Sequence, residues 1–163
     1  MAEILRRRGI PFAVIGAAAL AAHGVSRATR DLDLLVVAPA ALEPDTWRDL
    51  RATGVEVQIR RGDTGDPLAV VVRLAVAGED PIDLVVGKAA WQADLVGRAT
   101  DSVVEDVSIP VADRAGLVLL KLYAGSPQDA WDIEQLLALA LRGDGTPRRR
   151  AARRRSARRR RRS

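Results

Sequence analysis

The chain contains no cysteine and a single histidine, His23, among its 163 residues. Disulfides and thiolate metal sites are therefore excluded, as are catalytic triads and zinc centres that need several histidines. The lack of cysteine also fits a cytoplasmic protein. Aromatic residues are scarce: Phe12, Trp47, Trp91, Tyr123 and Trp131 are the full set. A core must then be assembled from alanine, valine and leucine, and the apolar content of 48% is ordinary for one globular domain. No segment of the sequence repeats another.

Acidic residues are missing from one end. Residues 148–163 hold 11 of the 26 lysines and arginines and no acid. Residues 1–147 are left with 15 basic against 21 acidic side chains, a body near −6 inside a chain whose total is +5. The overall charge thus describes the tail rather than a nucleic-acid footprint on the body. The arginine run has no apolar surface to bury, so the expected organisation is one domain over residues 1–143 and a disordered Arg-rich tail over 144–163. Such a tail fits a nonspecific arm for polyanions. It equally fits a truncated or shifted reading frame in GC-rich coding sequence.

Charge is also absent from Gly9 to Ser26, directly after Arg6-Arg7-Arg8. That arrangement has the look of an export signal, and its length raises the question of a membrane helix. Pro11, Gly16, His23 and Gly24 interrupt it at the places where a strand, a turn and a short helix need them. The expectation is therefore a folded segment and no membrane span.

Local patterns predict alternating strands and helices. A first helix over Ala2–Arg8 stops at Gly9 and Pro11. Phe12–Ile15 reads as a short buried strand, and Ala17–His23 as an alanine-rich helix closed by Gly24. Leu32–Val37 reads as a strand buried on both faces. A helix is expected over Ala41–Thr53, then a half-exposed strand over Val55–Ile59 and a loop over Arg61–Pro67. Strands over Ala69–Val76 and Ile82–Val86 are joined by the hairpin signal Gly78-Glu79-Asp80-Pro81. A helix over Lys88–Arg98, a strand over Val107–Val111, a helix capped by Asp113 and running to Tyr123, and a last helix over Gln128–Leu141 complete the order. The fold class is α/β: a mixed sheet with flanking helices and a C-terminal helix pair.

The chemistry concentrates in carboxylates. Asp31 and Asp33, at i and i+2, point to the same face of a strand. Two carboxylates so placed repel one another unless a cation lies between them. Hard oxygen donors of this kind suit Mg²⁺, which binds through one or two carboxylates plus substrate phosphates. Asp83, early in the apolar strand Ile82–Val86, is a third such acid. Solvated acids at strand ends are the bland reading of all three. Gly16, closing one strand before a helix, lets the backbone approach a phosphate.

The string Phe12-Ala13-Val14-Ile15-Gly16-Ala17, followed by Asp31-Leu32-Asp33, resembles the nucleotidyltransferase superfamily, and with His23-Gly24, Arg27 and Thr29 included it resembles the AbiEii-type branch. The superfamily signature is a strand, Gly-Gly or Gly-Ser, a short helix, then Asp-x-Asp or Asp-x-Glu. The second block, Lys121-Leu122-Tyr123-Ala124-Gly125 through Asp129 and Asp132-Ile133, is similar to the helix pair of the AbiEii-type branch. The resemblance covers residues 10–141.

It implies that Asp31, Asp33 and Asp83 are the catalytic and metal-binding residues, with Mg²⁺ as cofactor. It implies that Gly16, Ala17, Arg27, Thr29, Lys121, Asp129 and Asp132 bind the nucleotide. The implied reaction moves NMP from an NTP to a hydroxyl of a tRNA or protein acceptor. The implied setting is a toxin–antitoxin pair with a cognate antitoxin. Ala17 stands where the family has Gly or Ser, which removes a hydroxyl that can touch phosphate. A catalytically silent binding module with the same fold is the competing reading. Lys121 as a snorkelling surface lysine, Asp129 as a helix cap, Arg27 as a surface charge and Thr29 as a strand-start residue are the structural alternatives at those positions. His23 is read as stabilising a helix end.

The charge distribution makes one prediction. Removing residues 148–163 should leave the melting temperature unchanged, because those residues bury no core. Any affinity for nucleic acid should fall steeply with salt and disappear on truncation. Calorimetry and salt-titrated RNA binding check both; tight, salt-resistant binding by the truncated chain would reverse the assignment.

Overall fold

A computed structural model of the chain describes residues 1–29, 31–61, 70–104 and 106–143. The proposed tail over 144–163 and most of the expected loop after Arg61 lie outside the described residues.

Among the described residues fifteen elements follow in chain order, and the helices and strands are numbered as they occur. They are α1 (Ala2–Arg7), β1 (Phe12–Val14), α2 (Gly16–Ala22), β2 (Leu32–Val36), two 3₁₀ turns (Pro39–Leu42 and Pro44–Trp47), α3 (Arg48–Ala52), β3 (Glu56–Arg61), β4 (Val70–Ala75) and β5 (Ile82–Val86). Then come α4 (Ala90–Gly97), β6 (Thr100–Val104), β7 (Val107–Val111), α5 (Arg114–Ala124) and α6 (Pro127–Gly143). All strands join one seven-stranded sheet in the order β3-β4-β5-β2-β1-β7-β6. The β2–β5 and β1–β7 pairs are parallel and the other four are antiparallel, so the sheet is mixed, as expected.

The central strands carry the core. Leu34, Leu35 and Val36 of β2 and Leu84 of β5 are fully buried, beside Val14 of β1. β3, at one edge, alternates exposed and half-buried residues, in keeping with its alternating sequence. β4 and β5 form the hairpin announced by Gly78–Pro81, with Glu79 N–H donating to the Val76 carbonyl at 3.1 Å.

Two local expectations are corrected. The single helix over Ala41–Thr53 is instead two 3₁₀ turns and the short α3. Pro44 is the cause: proline pushes the residue before it out of the helical region, and Glu43 has φ −82° and ψ 124°. Trp47, completely buried, ties this segment together by donating its indole N–H to the Ala41 carbonyl at 2.8 Å. β6 has no counterpart among the expected elements. Thr100-Asp101-Ser102 is polar and poor in strand formers, and it pairs only at the far edge, against β7.

The helix pair is defined by its caps. Asp113 accepts from Gly116 N–H at 2.6 Å at the start of α5, and Gly125, left-handed at φ 71°, ends it. α6 opens with a reciprocal cap, Ser126 and Asp129 each bonding the other's backbone N–H. His23, directly after α2, bonds through Nε2 to the Ala112 carbonyl at 2.8 Å and so ties that helix end to the segment following β7. Asp129, Asp132 and Leu136 are the buried positions of α6, spaced three and four residues apart along one face. Leu136, with 1% exposure, is the apolar anchor of that face. Leu136→Ala should destabilise the protein by about 3 kcal/mol, measured by urea denaturation. A loss below about 1 kcal/mol would show that α6 docks through its charged half alone.

Candidate active site

Strand register assembles the site. In the parallel β2–β5 pair Asp33 lies opposite Asp83, and in the antiparallel β4–β5 pair Asp83 lies opposite Arg73. Directly opposed residues share a face of the sheet, so Asp33, Asp83 and Arg73 form one row across three strands. Asp31, two residues before Asp33, joins the same face just ahead of β2. A small turn holds it there: Thr29 Oγ1 donates to the Asp31 carbonyl at 3.1 Å and accepts its N–H at 3.3 Å.

Arg73 ties the row together. Its Nη2 donates to Asp31 Oδ2 at 3.0 Å, and its Nε lies 3.2 Å from Asp83 Oδ1. The second contact is ionic without hydrogen-bond alignment, since Asp83 Oδ1 is buried and has no hydrogen-bond partner. Arg73 was not legible as a site residue, because one arginine in the run Val70-Val71-Val72-Arg73-Leu74 carries no motif. Its inward placement depends on pairing with Asp83.

Asp33 stands on the other side of Asp83 and is pressed against the start of α2. Gly16 there has φ +63°, and a Cβ on it would overlap the Asp33 carboxylate. The glycine therefore makes room for the Asp33 side chain, whereas the sequence pattern points to a phosphate at Gly16. Ala17 is buried in the first turn of α2. Burial raises the Asp33 pKa to about 6, with Asp83 and Asp31 adding to the rise while Lys121 and Arg27 oppose it. Burial also pushes Asp83 up from the usual carboxylate range, against the pull of Arg73.

A second charged cluster comes from the helix pair. Asp132, fully buried, accepts from Arg27 Nη1 at 2.9 Å and Gln128 Nε2 at 3.3 Å and forms an ion pair with Lys121 Nζ at 2.6 Å. Asp129 accepts from Lys121 Nζ at 2.8 Å and from the Ser126 hydroxyl at 2.6 Å. Burial raises the Asp129 carboxyl, but these hydrogen bonds outweigh it and hold the group below its ordinary value. Asp129 thus is both a helix cap and a partner of Lys121. The Lys121 ammonium donates to Asp129 and lies in ionic contact with Asp132. Arg27, Lys121, Asp129 and Asp132 form one network, and Lys121 and Arg27 act electrostatically on Asp33. A cavity of about 630 Å³ bounded by Arg6, Phe12, Val96 and Pro110 includes none of these groups.

Three carboxylates supply the hard oxygens that Mg²⁺ takes, and in kind they fit a divalent cation. Among the described residues, no group of three or more Asp, Glu, His or Cys is gathered tightly enough to hold a metal ion. In the arrangement found, the Arg73 guanidinium joins Asp31 to Asp83.

No protein-family model matches the chain, and no curated protein matches it in sequence. Solved structures do match. The candidate nucleotidyltransferase TM1012 from Thermotoga maritima superimposes with a TM-score of 0.57 at 17% identity, over 83% of this chain and 87% of its own. The lincosamide antibiotic adenylyltransferase LnuA, bound to lincomycin, gives 0.52 at 12% identity, over 84% and 92%. The enzyme ANT(2'')-Ia, in complex with adenylyl-2''-tobramycin, gives 0.52 at 14% identity, over 87% and 86%. The fold is that of the nucleotidyltransferases. On this nucleotidyltransferase fold the carboxylate row occupies the centre of the sheet. Among the described residues no helix is long and apolar enough to cross a membrane.

The raised Asp33 carboxyl gives a pH prediction. Its pKa rises from 3.8 to about 6 on folding, so the folded chain binds this proton more tightly than the unfolded one. Stability should fall as pH rises between those values, and the penalty is complete above them. Asp33→Asn removes the penalty. In metal-free buffer near pH 7.5 the variant should exceed the parent by on the order of 3 kcal/mol, with the gap closing below about pH 4. Thermal melts across this range check it; a variant less stable than its parent at neutral pH would contradict the burial argument.

Proposed function

We propose that the chain is a Mg²⁺-dependent nucleotidyltransferase that moves NMP from an NTP to a hydroxyl acceptor and releases pyrophosphate. The observation that carries this reading is the juxtaposition of Asp31, Asp33 and Asp83 by the parallel β2–β5 register on a nucleotidyltransferase fold. Fold likeness to adenylyltransferases such as LnuA and ANT(2'')-Ia supports nucleotidyl transfer as the reaction class.

Asp31, Asp33 and Asp83 would hold the cation, which supplies charge neutralisation at the transferring phosphoryl group. The acceptor oxygen attacks the α-phosphorus, the bond to the bridging oxygen breaks, and pyrophosphate leaves. Asp83 receives the acceptor's proton; its partly desolvated carboxyl is better suited to that task than an ordinary one. Lys121 turns a free donor to the outer phosphates, held in aim by Asp129 and Asp132. Gly16, Ala17, Arg27 and Thr29 line the nucleotide's approach. Asp31 is set by Thr29, and Arg27 is set by Asp132. The acceptor is a tRNA or a protein side chain, and the setting an AbiEii-type toxin with a cognate antitoxin; both follow from the sequence resemblance alone.

Two observations favour a silent nucleotide-binding module instead. Arg73 is paired with two of the three acids, and Ala17 offers no hydroxyl. Pyrophosphate release separates the readings. Incubation with four labelled NTPs, Mg²⁺, total RNA and total protein should yield pyrophosphate and a labelled acceptor. Asp33→Asn should lower release by on the order of a hundredfold or more while the variant stays folded. Lys121→Ala should weaken triphosphate binding more than monophosphate binding. No release by the parent with any NTP would assign the module reading.

A further inference from the structure

The backbone of Arg73 is fixed in the sheet. Its backbone is paired to Asp83 in the β4–β5 ladder, so its stem cannot leave the acid row without breaking the sheet. The side chain is three-quarters buried, and its planar fork contacts Asp31 and Asp83 from one position. Without a cation at that point the two carboxylates repel one another. A divalent ion that ligates both must first break both guanidinium contacts.

We propose that Arg73 is a positioning residue that bridges Asp31 and Asp83 in place of a divalent cation and competes with that cation for the pair. The proposal rests on the metal-dependent reading above. It adds that the nucleotide-free site is partly compensated by its own arginine, and that metal affinity is set by how easily a guanidinium is displaced. A purely supportive arginine predicts the opposite behaviour, since its removal would loosen the ligands and weaken binding.

The test is Mn²⁺ binding to the full, metal-stripped chain without nucleotide, followed by electron paramagnetic resonance and calorimetry. Arg73→Gln should bind Mn²⁺ at least about tenfold more tightly than the parent, equivalent to about 1.4 kcal/mol. Arg60 also acts on Asp83 through charge but bonds to Gln58 instead, at 3.0 Å. Arg60→Gln therefore removes the same charge without removing the bridge, and should tighten binding by less than about threefold. The melting temperature of Arg73→Gln should fall in metal-free buffer and recover on adding Mn²⁺. Unchanged or weaker Mn²⁺ binding by Arg73→Gln overturns the competition while leaving the metal reading intact. Equal tightening in both variants reduces Arg73 to a distant charge and also overturns it. Absence of Mn²⁺ binding in every variant overturns the metal reading and the proposal together. Should Arg73→Gln fail to fold, Arg73→Lys keeps the charge and gives up the two-point bridge. Tighter Mn²⁺ binding by that variant supports competition, and unchanged binding overturns it.

Discussion

Charge compensation on one face of a buried sheet is the constraint that the rest of this molecule obeys. The β2–β5 pairing forces Asp33 and Asp83 side by side, and Asp31 follows on the same face. Three acids in partial burial are unfavourable unless cations are supplied. The chain supplies them from two directions: Arg73 from within the sheet, and Lys121 and Arg27 from the direction of the helix pair. Asp33, touched by none of these cations directly, retains the largest perturbation, and its carboxyl is the one driven to about 6.

The helix pair is bound to this problem by Asp132. A fully buried carboxylate is tolerable only with its partners in place, and Asp132 draws Lys121 from α5 and Arg27 from the α2–β2 connection to itself. The same contact that docks α6 therefore sets the cations near the acid row. Leu136, one turn on, supplies the apolar part of that docking. Packing and electrostatics thus share a single helix face, with charge at its start and hydrophobic contact further along.

Much of this was legible in the sequence, and the reasons are local. Asp31-Leu32-Asp33 states its own geometry, because the strand period of two puts both acids on one side. Asp113 and Gly125 delimit α5 by capping chemistry that needs no tertiary context. Pro44 could have been read as a break, yet the apolar spacing of Leu42, Trp47 and Leu50 suggested a continuous helix. Arg73 was out of reach for a different reason. Its significance lies in which residue it faces, and cross-strand register is decided by the whole sheet. The role of Gly16 was half visible: the turn was evident, whereas the neighbour needing the space, Asp33, is seventeen positions further along. The match to solved nucleotidyltransferases speaks to the fold, and the site residues rest on their own geometry.

The β2–β5 ladder also has a kinetic consequence. Its partners Asp33 and Asp83 are separated by the whole β3–β4 hairpin segment, and the β1–β7 pair that flanks the centre joins Val14 to Val111. Parallel contacts between such distant stretches form slowly, because chain closure must precede any reward from pairing. The acid row therefore does not exist in a nascent or half-folded chain. A polypeptide emerging from the ribosome would not bring Asp31, Asp33, Asp83 and Arg73 together until most of the sheet has closed, so whatever this row does begins only with the completed domain.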